Sequence, residues 1–144
     1  FSCEEEKLVV NIIFTSNRLN FLTSQIFKPF GLSAEQYNVL RILRGQKGNP
    51  ISLLDIEDRM LDKSSNVSRL IDKLLYKAFI TRNVSKSDRR KVDVLITASG
   101  MDVLTKIDEK LTLFYKKIDV LISLSDAKQM NTLLDDIRKI ETII

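Results

Sequence analysis

The chain has 144 residues, which suits one domain, or one domain with an added oligomerisation element. Its hydrophobic fraction of 44% and its charged fraction of 29% are typical of a packed, soluble protein. The single cysteine excludes an intramolecular disulfide, and the lack of histidine removes the commonest metal ligand and general base. A reducing, cytoplasmic setting is therefore expected, with no metal and no cofactor.

The first predicted element is a long helix from about Glu5 to Phe27, which ends before Pro29 and Gly31. A surface helix of a monomer needs one apolar stripe, whereas this helix carries apolar residues on more than one side. The surplus predicts a second buried face, against another subunit. The most apolar run, 8–14, is too short to cross a membrane, so no membrane contact is expected. The apolar positions are Leu8, Val9, Ile12, Ile13, Phe14, Leu19, Phe21, Leu22 and Ile26.

Two capping patterns predict the next helices. Gln36 follows Ser33 by three residues, the spacing of a capping box, which places the start of the second helix at Ser33. Ser52 stands in the same relation to Asp55 and predicts a short third helix that ends near Met60.

A fourth helix is predicted from about Ser64 to Lys77, after a turn at residues 61–63. One of its faces has the i, i+3, i+4, i+7 spacing of a buried stripe. That stripe consists of Val67, Leu70, Ile71 and Leu74.

Residues 80–85 and 92–96 are short and rich in β-branched side chains, and the segment between them is polar and basic. This pattern predicts an antiparallel hairpin with a charged tip.

Two further helices complete the chain. Thr97 is the predicted cap of a long helix from about Ala98 to Ile122, and Ser125 is the predicted cap of a last helix. Both helices carry a regular apolar seam, as packing against a neighbour requires. The seams are Leu104, Ile107, Leu111, Phe114, Ile118 and Leu121 in the first, and Met130, Leu133, Leu134, Ile137 and Ile140 in the second.

Positive charge is concentrated around the fourth helix and the hairpin. Residues 59–91 hold ten lysines and arginines and three aspartates, a net charge of +7, whereas the whole chain has a net charge of +4 and the remainder therefore sums to −3. Two short helices followed by a basic hairpin predict a mainly α (α+β) fold, a winged helix-turn-helix, and a surface for double-stranded DNA.

The residue types on that surface suit DNA. Arg can form hydrogen bonds with guanine, Asn can form them with adenine, and a basic loop can enter a narrow minor groove. Asp88 is predicted to be structural, through a pair with a wing arginine. Ordinary solvated polar faces are the alternative for both the helix and the tip. The predicted DNA-binding residues are Ser64, Ser65, Asn66, Ser68, Arg69 and Lys73 on the helix, and Lys86, Arg89, Arg90 and Lys91 on the hairpin.

The run from Asp88 to Gly100 resembles the wing signature of the MarR family of transcription regulators. It has Asp88, Arg90 two residues later, alternating hydrophobic positions, Thr97 and then Gly100. Residues 64–80 resemble the family's recognition helix, 32–37 its second-helix start, and 124–125 the start of its last helix. The family's usual Gly before the first wing strand is replaced by Ala78-Phe79, which predicts a slightly different helix end.

The resemblance implies a single MarR-like chain, 1–144, with a DNA-binding region at 32–100 and dimerisation helices at 1–30 and 101–144. It implies a homodimer that binds a pseudo-palindromic operator, acts as a repressor, and is released by a small anionic or aromatic effector or by thiol oxidation. Phe14, Arg18, Phe21, Tyr37 and Arg41 are candidate effector residues, with ordinary core and surface roles as the alternative.

Cys3 is expected to be an incidental thiol, because three glutamates beside it disfavour the thiolate. A winged-helix module that binds an acidic protein is the competing function. An enzyme is not expected, since the chain has no Gly-rich phosphate loop, no nucleophile elbow and no clustered carboxylate pair.

Overall fold

The computed structural model describes residues 1–140, which divide into one compact unit from Phe1 to Asp108 and a second from Glu109 onward. None of the helices in residues 1–140 is both long and apolar enough to cross a bilayer. The elements are α1 (Glu4–Phe27), a short 3-10 helix (Lys28–Phe30), α2 (Ala34–Gly45), α3 (Leu53–Arg59), α4 (Val67–Tyr76), β1 (Ile80–Val84), β2 (Val92–Ile96), α5 (Ala98–Leu121) and α6 (Leu124–Ile137). This order confirms the predicted mainly helical fold with a small antiparallel sheet.

Side-chain caps start α2 and α3 where the sequence predicts them. The Ser33 hydroxyl accepts a hydrogen bond from the Gln36 amide at 3.2 Å, and the Gln36 side chain accepts one from the Ser33 amide at 2.9 Å. The Ser52 hydroxyl accepts from the Asp55 amide at 3.2 Å. Both caps are confirmed, because each satisfies amides that the first helical turn leaves without a backbone partner.

Two predicted helix starts were wrong by two or three residues. Helix α4 begins at Val67 with Asn66 as its cap, not at Ser64, because Asp62 holds the Ser64 amide and hydroxyl in a turn at 2.9 and 2.6 Å. Helix α6 begins after Ser123 and not after Ser125. The Ser123 hydroxyl accepts from the amide of Asp126 at 3.1 Å and donates to its carboxylate at 2.6 Å.

The β-hairpin is confirmed, and a third short segment joins it. Strands β1 and β2 are antiparallel, with Ile80 opposite Ile96 and Val84 opposite Val92. Ile51, in the loop before α3, forms an antiparallel bridge with Val94 through bonds of 3.2 and 2.9 Å. The hairpin is therefore tied by backbone hydrogen bonds to the loop that leads into α3.

The core of the first unit is formed by the inward faces of α2 to α5 and of β2. The predicted buried stripe of α4 is confirmed at Val67, Ile71 and Leu74, while Leu70 is half-buried. The largest fully buried side chains are Leu40, Ile56, Ile71, Leu74, Leu104, Ile107, Val39, Val67 and Val94. Burial of these residues supplies the main driving force that fixes α4 and the hairpin in place.

The C-terminal end of α4 has the hydrogen bonds of a Schellman motif. The Ala78 amide donates to the carbonyl of Leu75 at 2.9 Å, and the Phe79 amide donates to that of Leu74 at 3.1 Å. Ala78 has a φ of 57°, in the left-handed region that glycine adopts without cost. Ala78 is therefore accommodated at the position where the family usually has glycine, but in a strained conformation.

Ala78→Gly is expected to raise the free energy of unfolding by about 0.5–1 kcal/mol, because relief of the left-handed strain outweighs the extra freedom of glycine in the unfolded chain. Urea denaturation followed by circular dichroism measures this change. Ala34→Gly, in the first turn of α2, is the control and should give no increase. A lower unfolding free energy for Ala78→Gly would contradict the strain argument.

In the second unit, the seam of α5 is only partly buried. Leu111 is buried, Phe114 and Ile118 are half-buried, and Leu121 is 79% exposed. Leu121 is the last residue of the helix and is not buried within its own chain, so its place in the seam stays a prediction. On α6, the predicted stripe includes well-exposed residues, with Leu133 54% and Ile140 72% exposed.

Candidate nucleic-acid interface

The exposed face of α4 carries cations and an aromatic ring in one row. Arg69, Lys73 and Tyr76 follow the i, i+4, i+7 spacing that places side chains on one side of a helix. All three are exposed, and Tyr76 is 93% exposed. The opposite side is the buried stripe, so packing of α4 onto the core turns this row outward.

The residues predicted to bind DNA do not all lie on this row. Ser68, Arg69 and Lys73 are exposed residues of α4, as expected. Ser64 and Ser65 precede the helix, and Ser65 is half-buried. Within residues 1–140, the buried hydroxyl of Ser65 has no hydrogen-bond partner.

Asn66 is the N-cap of α4. Its side-chain oxygen accepts a hydrogen bond from the Arg69 amide at 3.0 Å. The expected pairing with adenine uses this oxygen as well as the side-chain amide group. Capping therefore competes with the base-reading role that the sequence predicts for Asn66.

Asp62 shapes the turn before α4. The hydroxyl and amide of Ser64 both donate to its carboxylate, and these hydrogen bonds lower the pKa of Asp62. Because the folded state holds the ionised form more strongly, the stability that this turn contributes is present above the unfolded pKa. It is lost as the pH falls through the folded pKa.

The tip of the hairpin presents four cations to solvent. Lys86, Arg89, Arg90 and Lys91 are all exposed. Asp88 is half-buried, and its carboxylate accepts a hydrogen bond from the backbone amide of Arg90 at 3.0 Å. Its backbone carbonyl accepts from the Lys91 amide at 2.9 Å. Asp88 thus bonds the loop backbone, whereas a pair with an arginine side chain was expected from the sequence.

An ion pair between α4 and the hairpin was missed at the sequence level. Arg82 on β1 donates to the carboxylate of Asp72 on α4 at 3.3 Å. The pKa of Asp55 on α3 is lowered mainly by the hydrogen bond from the Ser52 hydroxyl, and to a smaller extent by the charges of Arg59 and Lys91. Contacts between residues of different elements leave no signal in local spacing.

A shallow depression of about 370 Å³ runs beside the exposed row of α4. Tyr76 and Lys77 belong to it and were not predicted as site residues, although their spacing from Arg69 and Lys73 continues the row. The lining side chains are Gln36, Arg69, Asp72, Lys73, Tyr76 and Lys77. Three of these six are cations, so the depression has the charge that a phosphate backbone requires.

A joint of hydrogen bonds connects the end of α4 to the start of α5. The Thr97 hydroxyl donates to the Ala78 carbonyl at 2.8 Å and accepts from the Gly100 amide at 3.1 Å. The Thr97 amide donates to the Phe79 carbonyl at 3.0 Å. Thr97 caps α5 as predicted, and the same side chain holds the backbone that ends α4.

Four of the five candidate effector residues form two pairs. The Arg18 guanidinium lies 5.7 Å from the Phe21 ring, and the Arg41 guanidinium donates to the Tyr37 hydroxyl at 3.0 Å. Tyr37 is buried and its ring stacks on Phe27 at 4.3 Å. Tyr37 is therefore part of the core, which is the alternative role expected for it from the sequence.

A cleft of about 570 Å³ lies between α1, the start of α2 and the turn before α4. Its lining differs from the predicted effector set and is mostly polar. The lining residues are Ser16, Asn20, Ser24, Ser33, Ala34, Glu35, Asn38, Met60, Leu61 and Asp62. Phe14, Arg18 and Phe21 are outside this cleft, and Phe14 is 73% exposed.

Cys3 is exposed at the start of α1. It is the N-cap, and its sulfur accepts a hydrogen bond from the Glu6 amide at 3.4 Å. Capping gives the side chain a structural role that requires no redox chemistry.

Comparison with known proteins finds similarity to one family. A family model, described as the MarR family, matches residues 32–92, which hold α2 to α4 and the first strand and tip of the hairpin. A crystal structure of a MarR transcription factor from Planctomyces limnophilus is 26% identical, with a TM-score of 0.71, and the match covers 94% of this chain and 98% of that one. Over residues 32–92 the chain is similar to the MarR family. These matches support the predicted resemblance to MarR family regulators.

Two further matches illustrate the range of similarity. The helix-turn-helix regulator YpoP of Bacillus subtilis is 35% identical over 89 residues, which are 61% of this chain and 62% of YpoP. The chain thus matches less than two thirds of that relative. A structure of mutant Escherichia coli MarR in complex with operator DNA has a TM-score of 0.79 at 18% identity, with 92% of this chain and 95% of that chain covered. At this identity the match establishes a shared fold.

Proposed function

We propose that this protein is a MarR family member and a cytoplasmic, sequence-specific DNA-binding regulator that acts as a homodimer on a pseudo-palindromic operator. The observation that carries the proposal is the outward row of α4 beside the basic tip of the hairpin, on one unit with a strongly positive segment. A cationic helix face next to a cationic loop is the arrangement that winged helices use on a duplex.

In the proposed complex, α4 enters the major groove and the tip enters the minor groove. Arg69 is the best-placed base-reading residue, since it is exposed near the N-terminal end of α4 and its guanidinium can bond guanine with two hydrogen bonds. Lys73 and Lys77 are proposed to contact phosphates. The Escherichia coli MarR structure in complex with operator DNA shares this fold, which supports DNA as the partner.

A homodimer is proposed because α1 and α6 each expose apolar side chains. On α1, Leu8, Val9, Val10, Ile13 and Phe14 are all 44–73% exposed. On α6, Met130 is 49% and Leu133 54% exposed. Apolar surfaces of this kind are typical of sites that another chain covers.

We also propose that the protein represses transcription and that a small effector releases it from DNA. The region 32–100 is proposed as the DNA-binding part, with 1–30 and 101–144 as the dimerisation helices. The polar cleft beside α1 and the aromatic residues around Arg18 are the two regions to probe for an effector.

Selection from a random duplex library at near-physiological salt tests the proposed function. Enrichment of an inverted repeat is expected, with half-sites about one helical turn apart. Retention without any preferred sequence would contradict sequence-specific regulation. Failure to retain DNA would favour the competing role, in which the basic face binds an acidic protein.

Arg90→Ala is expected to weaken binding to the selected operator by about 1–3 kcal/mol, because the tip loses an exposed guanidinium that can enter the minor groove. Fluorescence anisotropy with a labelled duplex measures this change, and sedimentation should show an unchanged assembly. Lys139→Ala, a cation outside the 59–91 segment, is the control. An unchanged affinity for Arg90→Ala would remove the tip from the mechanism.

A further inference from the structure

We infer that Thr97 is a positioning residue for DNA recognition, because its hydroxyl fixes the C-terminal end of α4 to the start of α5. The inference rests on the proposed function, in which α4 reads bases. Thr97 itself lies in neither the exposed row of α4 nor the basic tip. It acts through the backbone that ends the helix.

The hydroxyl of Thr97 joins two helix ends at once. It donates to the carbonyl of Ala78, directly after α4, and accepts from the amide of Gly100, in the first turn of α5. Since a hydroxyl offers one donor and two acceptor positions, both bonds can be made together. A side chain of the same shape without the hydroxyl would break both.

The neighbouring backbone has little freedom to compensate. Ala78 is held in the left-handed region, and the Phe79 carbonyl accepts from the Thr97 amide at 3.0 Å. Gly100 lies so close that an added Cβ would be 2.3 Å from the Phe79 oxygen. Ala78, Phe79, Thr97 and Gly100 therefore have one well-defined arrangement. Among these four residues, the Thr97 hydroxyl is the only side-chain group that forms a hydrogen bond to another of them.

The orientation of α4 matters for sequence-specific DNA binding and matters little for non-specific binding. Binding to any duplex depends on cations near phosphates, which tolerate small rotations of the helix. Base reading requires hydrogen bonds of defined length and direction. Loosening of the joint should therefore lower the specific affinity while the non-specific affinity remains.

The experiment compares Thr97→Val, Thr97→Ser and the control Thr105→Val in the full chain. Val keeps the shape of Thr and removes the hydroxyl, whereas Ser keeps the hydroxyl. Thr105 donates to the Met101 carbonyl at 3.1 Å within α5, so Thr105→Val removes a comparable bond away from the joint. Affinity is measured for the operator from the library selection and for a scrambled duplex, at several salt concentrations.

Thr97→Val is expected to lower the ratio of specific to non-specific affinity by about tenfold, the factor that corresponds to the net value of a hydrogen bond or two. Thr97→Ser and Thr105→Val should retain the wild-type ratio. A purely structural role would reduce the active fraction for both duplexes equally, so the ratio separates the two roles. If Thr97→Val fails to fold, Thr97→Ala, which leaves space for water, takes its place.

A wild-type ratio in a folded Thr97→Val or Thr97→Ala variant would overturn the inference. Failure of the proposed function gives a different result, because the wild-type chain itself would then show no preferred duplex.

Discussion

Gly100→Ala is expected to lower the free energy of unfolding by about 3 kcal/mol, the upper end of the usual cost of forcing extra atoms into a packed site. Gly100 is buried in the first turn of α5. An added Cβ would lie 2.3 Å from the backbone oxygen of Phe79 and 2.8 Å from a side-chain carbon of Ile96. The oxygen cannot retreat without loss of its bond to the Thr97 amide.

Gly45→Ala is the matched control for that measurement. Gly45 is also helical, at the end of α2, but an added Cβ would meet nothing within 4 Å. Alanine has the higher helix propensity, by about 1 kcal/mol in a helix interior, so this variant should be neutral or slightly stabilised. Chemical denaturation of both variants gives the comparison. Equal stability of Gly100→Ala and wild type would show that the backbone around Phe79 can move apart.

The helix order and most of the caps could be predicted from the sequence because they depend on residues three or four apart. Ser33, Ser52 and Thr97 each cap the helix that the pattern assigned to them. The start of α4 was predicted wrongly because Ser64, Ser65 and Asn66 are all good caps, and local rules do not rank them. The turn around Asp62 decides in favour of Asn66.

The start of α6 was also predicted wrongly, although the sequence contains the information that places it. Ser123 has Asp126 three residues later, and that carboxylate accepts a hydrogen bond from the cap hydroxyl, whereas Ser125 has Lys128, whose side chain has no acceptor. The acid three residues after Ser123 is therefore the sequence signal that predicts this helix start.

The contacts that fix the candidate interface in space could not be predicted from the sequence. The Ile51 bridge to Val94 joins residues 43 positions apart, and the Arg44 pair with Asp108, at 2.5 Å, joins residues 64 positions apart. No periodic pattern encodes such pairs, since they follow from how the helices pack. The composition of the exposed row of α4 was predictable, whereas its support by Arg82 and Thr97 was not.

Leu133→Asp is expected to abolish the proposed homodimer and to lower operator affinity by about 100-fold or more, because a single subunit would contact only one half-site. Leu133 is 54% exposed within its own chain, so a charge there costs the single chain little. In an apolar interface the same carboxylate would be buried without a partner, at a cost of several kcal/mol. Sedimentation velocity and anisotropy on the same sample measure both effects.

Thr132→Asp provides the control, since it adds the same charge on the next residue of α6. Thr132 is exposed, and helical spacing places it on the side of α6 away from Met130 and Ile137. Its hydroxyl donates to the Lys128 carbonyl at 3.2 Å. This variant should remain dimeric and bind the operator. A chain that ends at Leu124 tests the same interface by removal of α6 and should behave like Leu133→Asp. A truncated chain that sediments as a dimer would contradict the assignment of α6 to the interface, and a monomeric wild type with full operator affinity would contradict the dimer itself.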